Sequence, residues 1–335
     1  MSRSTGVVIV SYNSADCLVP CLKAVLTHYG HVVVVDNASN DGSVAVARSV
    51  PTSPGQVLDV WEAGKNLGFA GGVNAGVRRL GTDNVLVLNP DVCLAPGDGL
   101  RESLESALNQ ENTGAVAGVL RAEGTGPQAG FTVRRLPRPR DLILEALGVN
   151  AVWPSNRANV RYRCLDLDLH AAQEVEQPAG AFLMFRREAW LALGGWDEEF
   201  YPVWFEDVDF CRRLSNAGWK IRLAPGARAL HAGGHSVGKL TPLARASYWY
   251  GSLLKYSAKH FGPWRTRFVA AAVVIGIAGR MILHFLHLQR GSLSALNSVL
   301  GFAARCVVTG RAPQVPAGSS IRANQALTTR HLHGL

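Results

Sequence analysis

The sequence predicts an α/β protein whose mostly parallel sheet is flanked by helices. β-branched runs alternate with helix-like stretches through the first half of the chain, as βαβ units require. These runs are apolar throughout, which is typical of strands that are covered by helices on both faces. With 335 residues and 47% hydrophobic composition, the chain can also bury a substantial core.

The regular pattern of the first half consists of strands that each precede a helix. Ligands bind at the carboxyl ends of the strands in such sheets, so the loops at residues 11–13, 36–39 and 89–91 matter most. The strands are predicted at residues 7–10, 32–35 and 85–88, and the helices at residues 18–27, 43–49 and 100–108.

The second half of the chain is less regular. Residues 134–159 are rich in Pro and Arg with weak periodicity, and we predict a long excursion over the surface or a loop on the acceptor side of a site. Regular pattern then returns, and Gly218 lies where a helix C-terminus is expected. The predicted elements are strands at residues 180–185, 220–223 and 227–230 and helices at residues 187–193 and 206–216.

The apolar stretch at residues 268–288 is long enough to cross a bilayer. Arg280, His284 and His287 recur on one helical face, however, and further arginines lie nearby at positions 265, 267 and 290. A helix that lies in the plane of a membrane, with aromatic residues at the interface, explains this pattern better than a span. A helix packed on the protein or on a partner subunit is the alternative.

Three regions follow from these patterns. We predict a main α/β domain at residues 1–238, a helical membrane-associated segment at 239–292, and a C-terminal helix and mobile tail at 293–335.

Charge and cysteine usage narrow the setting. The net charge of +9 indicates an anionic partner: nucleic acid, an anionic membrane surface or a phosphorylated substrate. The six cysteines show no paired CxxC spacing, so we expect reduced thiols. The apolar run at the N-terminus is too short for a signal peptide, and a cytoplasmic location is therefore expected.

Two carboxylates follow predicted strands, Asp36 directly and Asp91 within the rigid turn Asn89-Pro90-Asp91. At the ligand edge of the sheet, an aspartate can accept hydrogen bonds from a base or ribose, or can hold a divalent cation. Aspartates at strand ends also cap turns, and each residue taken singly favours that simpler explanation.

A dinucleotide-binding domain also places an acidic residue after its second strand. Its GxGxxG loop is missing, because the turn at residues 11–16 contains no glycine. The Gly-rich run at residues 68–76 has the wrong spacing for that loop and for a P-loop. It indicates close backbone packing or proximity to a phosphate.

The helix predicted at residues 206–216 opens with three acids. Asp209 precedes Arg212 and Arg213 by three and four residues, so we interpret it as a structural ion-pair partner. Glu206 and Asp207 have no such partner within the helix. As carboxylates of the first turn they interact favourably with the helix dipole.

Aromatic residues suggest a second use for this acidic pair. Tyr201, Trp204 and Phe205 precede it and are suited to stacking on a sugar and excluding water, and a carboxylate there can act as a general base. His231, followed by His235, comes after a predicted strand. A lone histidine is usually only a polar residue, but beside a carboxylate-held metal it is a plausible imidazole ligand.

Taken together, these segments resemble the GT-A glycosyltransferases of family 2, over about residues 7–238. Within that family the chain looks most similar to bacterial rhamnosyltransferases, including those that use polyprenyl-diphosphate-linked acceptors. The motifs that carry the resemblance, in family order, are VIVSYN at residues 8–13, VDNASNDGS at 35–43, NLGFA at 66–70, NAG at 74–76, LNPD at 88–91, GAF at 180–182, GGWD at 194–197 and EDVD at 206–209.

The resemblance implies a nucleotide-diphospho-sugar transferase of Rossmann-like architecture. In it, Asp36 would contact the base with Ser11 and Asn13 beside it, while Asn66 and Asn89 would belong to the nucleotide pocket. Asn89 stands where the family's Asp-x-Asp motif has its first acid, which leaves one fewer negative ligand.

The resemblance also implies the metal and acceptor residues. Asp91 and His231 would bind Mn²⁺ or Mg²⁺ at the diphosphate. Asp207 would be the general base, Glu206 would orient it, and Trp204 would contact the acceptor.

The expected activity is inverting transfer of a sugar, L-rhamnose from dTDP-L-rhamnose, to a hydroxyl of a lipid-linked or growing glycan in cell-wall or polysaccharide synthesis. We expect a peripheral protein on the cytoplasmic face of the cell membrane. A transferase for another nucleotide sugar and a non-catalytic sugar-nucleotide-binding protein are the alternatives. No nucleic-acid-binding module is recognisable, and a homo-oligomer is compatible with the sequence.

Overall fold

The computed structural model describes residues 3–97, 99–122, 126–233, 238–286 and 292–313. The chain divides into two compact units, one formed by residues 1–137 with 154–236 and the other by residues 138–153 with 237–335. His235, His287, Arg290 and the tail from residue 314 onward lie outside the described residues.

A twisted sheet forms the centre of the first unit, in the strand order β3-β2-β1-β4-β11-β6-β12-β5. The strands β1 to β4 run parallel, and β11 is antiparallel to both of its neighbours, β4 and β6. The predicted α/β fold is therefore confirmed. The strands are β1 Thr5–Ser11, β2 His31–Asp36, β3 Val57–Glu62, β4 Asn84–Leu88, β5 Val92–Leu94, β6 Thr113–Ala122, β7 Gly126–Pro127, β8 Val133–Arg134, β9 Gln173–Glu174, β10 Gln177–Pro178, β11 Phe182–Arg186 and β12 Lys220–His231.

Helices cover both faces of this sheet. Val7 and Ile9 of β1 enter one apolar cluster, whereas Val8 and Val10 enter the other, because successive side chains of a strand point to opposite faces. The helices are α1 Ala15–Leu26, α2 Ser43–Arg48, α3 Gly68–Arg79, α4 Gly99–Leu108, α5 Pro139–Ala146, α6 Val149–Val152, α7 Arg157–Tyr162, α8 Arg187–Ala192, α9 Glu206–Asn216, α10 Pro242–Phe285 and α11 Leu293–Thr309, with a 3-10 turn at Glu198–Phe200.

Two predictions of local structure were wrong. The segment at residues 134–159 contains helices α5 to α7 and not an irregular excursion. Pro139 begins α5, where its missing N–H costs nothing, and the N–H of Arg138 donates to Asp141 at 2.9 Å. The strands predicted at 220–223 and 227–230 are one strand, β12, which continues through a change of register between Leu223 and Arg228.

The second unit is helical. Helix α10 packs on α5 and α11 and is interrupted at Gly262, whose φ of +76° is not helical. Within the described residues, α10 is long and apolar enough to cross a membrane, a property that buried core helices share. Half-buried Arg280 donates to the carbonyl of Ala146 at 3.2 Å, which holds its guanidinium against α5.

Large apolar side chains are exposed along the second half of α10. Five of the large exposed side chains on α10 and on the residue after it recur at steps of four or seven residues, so they form one stripe along the helix. We call them the apolar stripe: Trp264, Phe268, Ile275, Ile282 and Leu286.

Candidate active site

Ser11 and Asp36 end the neighbouring parallel strands β1 and β2 and are partners in the register. Both side chains are buried, at 0% and 2% exposure. Ser11 Oγ and Asp36 Oδ1 have no hydrogen-bond partner among the described residues. A buried polar atom without a partner costs free energy, so these two atoms are suited to receive polar groups of a ligand.

Asn13 joins the first two strand-end loops. Its N–H donates to Ser39 Oγ at 2.9 Å, and its Oδ1 accepts from the N–H of Asn40 at 2.9 Å. Ser39 in turn donates its N–H to Asp36 Oδ2 at 2.9 Å. Asn13 therefore fixes the loop that carries Asp36, and its predicted contact with a nucleotide stays a prediction.

Asn66 lies at the start of α3, where its Oδ1 accepts from the N–H of Gly68 at 2.8 Å. The glycines of this helix pack directly on β1. A Cβ on Gly72 would lie 2.6 Å from Val10 Cγ1, and one on Gly76 would lie 2.5 Å from Val8 Cγ1. Of the two explanations for the Gly-rich run, close backbone packing is the one that these contacts support.

Asn89 and Asp91 follow β4 at the same edge of the sheet. The N–H of Asn89 donates to the carbonyl of Ala181 at 3.1 Å, and the N–H of Ala232 donates to the carbonyl of Asp91 at 3.2 Å. These bonds hold the turn between β11 on one side and the end of β12 on the other.

The turn places Asp91 next to His231, which is what the prediction that both bind one metal ion requires. Asp91 Oδ1 lies 3.6 Å from His231 Nε2, and both side chains are 5% exposed. Burial lowers the pKa of His231, and the nearby Asp91 carboxylate opposes this effect only in part. A neutral imidazole next to a carboxylate is a suitable ligand set for a divalent cation.

Two residues that the sequence did not indicate position His231. Phe131 stacks on the imidazole, with ring centroids 4.9 Å apart and planes at 17°. Gln128 Oε1 lies 3.3 Å from His231 Nδ1. No sequence signal could have paired Gln128 with His231, because the two meet only through the pairing of β6, β7 and β12.

The described residues contain no group of three or more His, Cys, Asp or Glu side chains that could hold a metal. Asp91 and His231 would together supply two ligands to such a cation, as the sequence predicts. Mn²⁺ and Mg²⁺ both accept such oxygen-rich surroundings, so the residues fit a cation bound together with its substrate.

Asp207 lies in the first turn of α9 and accepts two main-chain hydrogen bonds. The N–H of Gly180 donates to its Oδ2 at 3.0 Å, and the N–H of Val208 donates to its Oδ1 at 2.8 Å. Burial raises the pKa of Asp207, although these hydrogen bonds oppose the shift. A carboxylate with a raised pKa is a stronger base once it is ionised.

Glu206, the other member of the acidic pair, is 4% exposed. Its Oε2 has no hydrogen-bond partner among the described residues. Burial, reinforced by the charge of Asp207, raises the pKa of Glu206 well above its usual value. Both effects favour the protonated, neutral form of Glu206.

The aromatic loop before α9 is strained. Trp204 and Phe205 have φ angles of +77° and +70°, which non-glycine residues rarely adopt. The N–H of Phe69 donates to the carbonyl of Pro202 at 2.8 Å and ties this loop to α3. The loop thus holds half-buried Trp204 beside the acidic pair, and its predicted contact with an acceptor stays a prediction.

Two further residues stabilise this region. Asp209 forms the predicted ion pair with Arg213, with an N–O distance of 2.7 Å. Asn74, to which the sequence assigns no role, is 2% exposed and accepts hydrogen bonds from both Trp190 and Trp196.

The segment at residues 180–181 connects the acidic pair to the turn that carries Asp91. Gly180 donates to Asp207, whereas Ala181 accepts from Asn89 in the turn that carries Asp91. Ser11 and Asp36 reach the same edge of the sheet because β1 lies between β2 and β4. The predicted residues therefore collect at one edge, as the strand order requires.

The sequence and the fold are similar to known proteins. The family described as "Glycosyltransferase like family 2" matches residues 3–248. An N-acetylglucosaminyl-diphospho-decaprenol L-rhamnosyltransferase of Mycobacterium tuberculosis is 30% identical over 251 residues, 70% of this chain and 76% of that protein. The rhamnosyltransferase WbbL of Escherichia coli K12 is 24% identical over 159 residues, 47% of this chain and 55% of that protein.

Solved structures show a similar fold. The mannosyltransferase PcManGT of Pyrobaculum calidifontis, solved with GDP-Man and Mn²⁺, has a TM-score of 0.52 at 19% identity, covering 92% of this chain and 88% of that one. TarS of S. aureus, solved with UDP-GlcNAc, has a TM-score of 0.53 at 13% identity, covering 91% and 81% respectively.

Proposed function

The chain belongs to glycosyltransferase family 2, and from that premise we propose that it is a metal-dependent, inverting enzyme that transfers L-rhamnose from dTDP-L-rhamnose to a hydroxyl of a lipid-linked or growing glycan. The observation that carries this proposal is the segment at residues 180–181, which links the carboxylate of Asp207 to the turn that carries Asp91. A base and a cation site are the two groups that such a transfer needs.

The donor lies at the edge of the sheet in this proposal. Asp36 and Ser11 bind its base or ribose, since their buried free oxygens are suited to polar partners. Asp91 and His231 would hold a divalent cation, which, when bound, neutralises the charge that develops on the departing diphosphate.

Asp207 removes the proton from the acceptor hydroxyl while the oxygen of that hydroxyl attacks the anomeric carbon. The bond from this carbon to the diphosphate oxygen breaks on the opposite face, so the configuration at the carbon is inverted. A single displacement requires no second nucleophilic carboxylate. Glu206, whose pKa is raised by burial, orients Asp207 or the acceptor.

The choice of L-rhamnose is supported by the similarity to the two rhamnosyltransferases. The mycobacterial protein's name also supports a polyprenyl-diphosphate-linked acceptor. Two alternatives are a family 2 transferase that uses another nucleotide sugar and a protein that binds sugar nucleotides without turnover.

A membrane-borne acceptor requires the enzyme to reach a membrane. We place the apolar stripe of α10 against the cytoplasmic face of that membrane, where the bulk of Trp264 and Phe268 enters the interface. The net charge of +9 favours an anionic surface of this kind.

The test is transfer and donor hydrolysis with a panel of nucleotide sugars, with Mn²⁺, with Mg²⁺ and with chelator. We expect dTDP-L-rhamnose to be turned over only with metal, and Asp207→Asn to lose about 10²-fold to 10⁴-fold in transfer while still binding nucleotide. Asp83→Asn is the matched control, since Asp83 precedes β4 at the end of the strand away from Asp91. Absence of binding to every nucleotide sugar, or full activity of Asp207→Asn, would contradict the proposal.

A further inference from the structure

Gln128 contacts His231 through both ends of its amide. Its Nε2 donates to the main-chain carbonyl of His231 over 3.4 Å, and its Oε1 lies 3.3 Å from Nδ1 of the same residue. The main chain of Gln128 is itself fixed, because its N–H donates to Leu120 and its carbonyl accepts from Thr132, both at 2.9 Å.

These contacts determine which imidazole nitrogen carries the proton. A main-chain carbonyl can only accept, so the amide of Gln128 must present its NH₂ group there. The amide oxygen of Gln128, Oε1, then faces Nδ1 of His231. Because an amide oxygen also only accepts, Nδ1 must be the donor. In a neutral imidazole the proton is thereby assigned to Nδ1, and Nε2 keeps its lone pair.

The free lone pair points toward the carboxylate side of the pair. Nε2 lies 3.6 Å from Asp91 Oδ1, beyond hydrogen-bond distance. Without a proton on Nε2, the lone pairs of this nitrogen and of the carboxylate oxygen face each other across the space between them. Phe131 stacks on the ring and keeps its plane in this orientation. Such an arrangement is favourable when a cation occupies the gap.

We propose that Gln128 is a positioning residue that fixes His231 as its Nδ1–H tautomer and so keeps Nε2 available to a divalent cation beside Asp91. The role rests on the metal-dependent function proposed above. It adds a residue to which the family motifs assign nothing, and it explains why a glutamine follows β7 at this place.

The direct test is nitrogen-15 NMR of histidine-labelled protein without metal or donor, at about pH 8, where a free imidazole is neutral. The signals of His231 are identified by their loss in His231→Gln. We expect the wild type to show a protonated Nδ1. In Gln128→Met, and equally in Gln128→Ala, the proton should move to Nε2, where it can be shared with Asp91. An unchanged tautomer in both variants would overturn the proposal.

A second measurement follows Mn²⁺ by electron paramagnetic resonance, in the presence of dTDP. Loss of a residue that orients a metal ligand weakens metal binding by about 10-fold to 100-fold, and we expect a loss of this size in Gln128→Met. Gln110→Met, at an exposed position after α4, is the matched control and should bind like the wild type.

The two readouts separate the inference from the function on which it rests. A shifted tautomer with unchanged Mn²⁺ affinity would show that the cation does not depend on Gln128, and would overturn the role proposed for it. Absence of Mn²⁺ binding by the wild type would instead contradict the metal-dependent function itself.

Discussion

The side chain of Asn74 forms two hydrogen bonds with the main chain of Trp196, accepting from its N–H at 2.9 Å and donating to its carbonyl at 2.8 Å. Asn74 Oδ1, which accepts from the N–H of Trp196, also accepts from Trp190 Nε1 at 3.1 Å. Asn74 thereby joins α3, which packs on β1, to the segment that leads into α9. The position of the acidic pair depends on this join.

Replacement of Asn74 by Ala should lower the free energy of unfolding by about 2–4 kcal/mol, because it leaves buried main-chain and indole groups without partners. Urea denaturation measures the change. Asn109→Ala, at an exposed position, is the control and should change it by less than about 0.5 kcal/mol. An Asn74→Ala variant as stable as the control would show that water replaces these bonds.

Gly76→Ala should destabilise the protein by about 1–3 kcal/mol, although alanine is normally the better helix former. A Cβ at this position would lie 2.5 Å from Cγ1 of buried Val8, so β1 and α3 must separate. Gly301→Ala is the matched control, because it also lies in a helix but has no atom within 4 Å of the added carbon. Thermal unfolding should show opposite shifts for the two variants, and equal shifts would contradict the close approach of α3 to β1.

Glu206→Gln should stabilise the protein increasingly as the pH rises. Burial raises the pKa of Glu206 in the folded state, while in the unfolded chain the residue titrates near about 4.3. Between these two values only the unfolded state releases the proton, so the wild type loses stability with rising pH and a glutamine does not.

The measurement is the difference in unfolding temperature between the two proteins at about pH 5 and at about pH 8, with Asp207 present in both. The exposed Glu111, changed to Gln, is the control and should show no such dependence. If the difference between Glu206→Gln and the wild type is the same at both pH values, Glu206 is ionised in the folded protein.

The double substitution of Phe268→Ser with Ile275→Ser should weaken binding to vesicles of phosphatidylglycerol and phosphatidylethanolamine by tenfold or more. Each of these side chains is more than half exposed, and burial of such a side chain stabilises an assembly by about 1.5–3 kcal/mol. Vesicle flotation measures the loss, with Val308→Ser, an exposed apolar side chain outside the stripe, as the control. If vesicle binding is unchanged and light scattering shows that the variant has lost a dimer that the wild type forms, the stripe instead binds a second copy of the chain.

Much of the fold could be predicted because it depends on local pattern. The apolar runs of β1, β2 and β4 and the acids at the start of α9 are visible within a few residues of sequence, and α9 has the predicted bounds. The place of β11 between β4 and β6 could not be predicted, since strand order is decided by contacts between distant segments. The helix at Pro139 could not be predicted because the surrounding stretch has weak periodicity, although proline fits the first position of a helix.

The site shows the same division. Asp91 and His231 could be paired from residue type and motif, and the structure places them together. Nothing in the local sequence indicates what the amides of Gln128 and Asn74 do. Their function depends on which groups the fold brings within hydrogen-bond distance of them. Sequence pattern can indicate the groups that carry chemistry more readily than the groups that orient them.

The late position of β12 in the chain affects how a newly made molecule matures. β5, which directly follows Asp91, pairs with β12 in the described sheet. The next strand, β6, pairs with β7, β11 and β12, which also come later in the sequence. While the ribosome is still producing the middle of the chain, β1 to β4 can associate, and the turn of Asp91 has α1 beside it but not yet the end of β12. The emergence of β12 completes the sheet and brings His231 to Asp91 in one event, so a nascent or truncated chain that ends before β12 cannot form this pair of side chains.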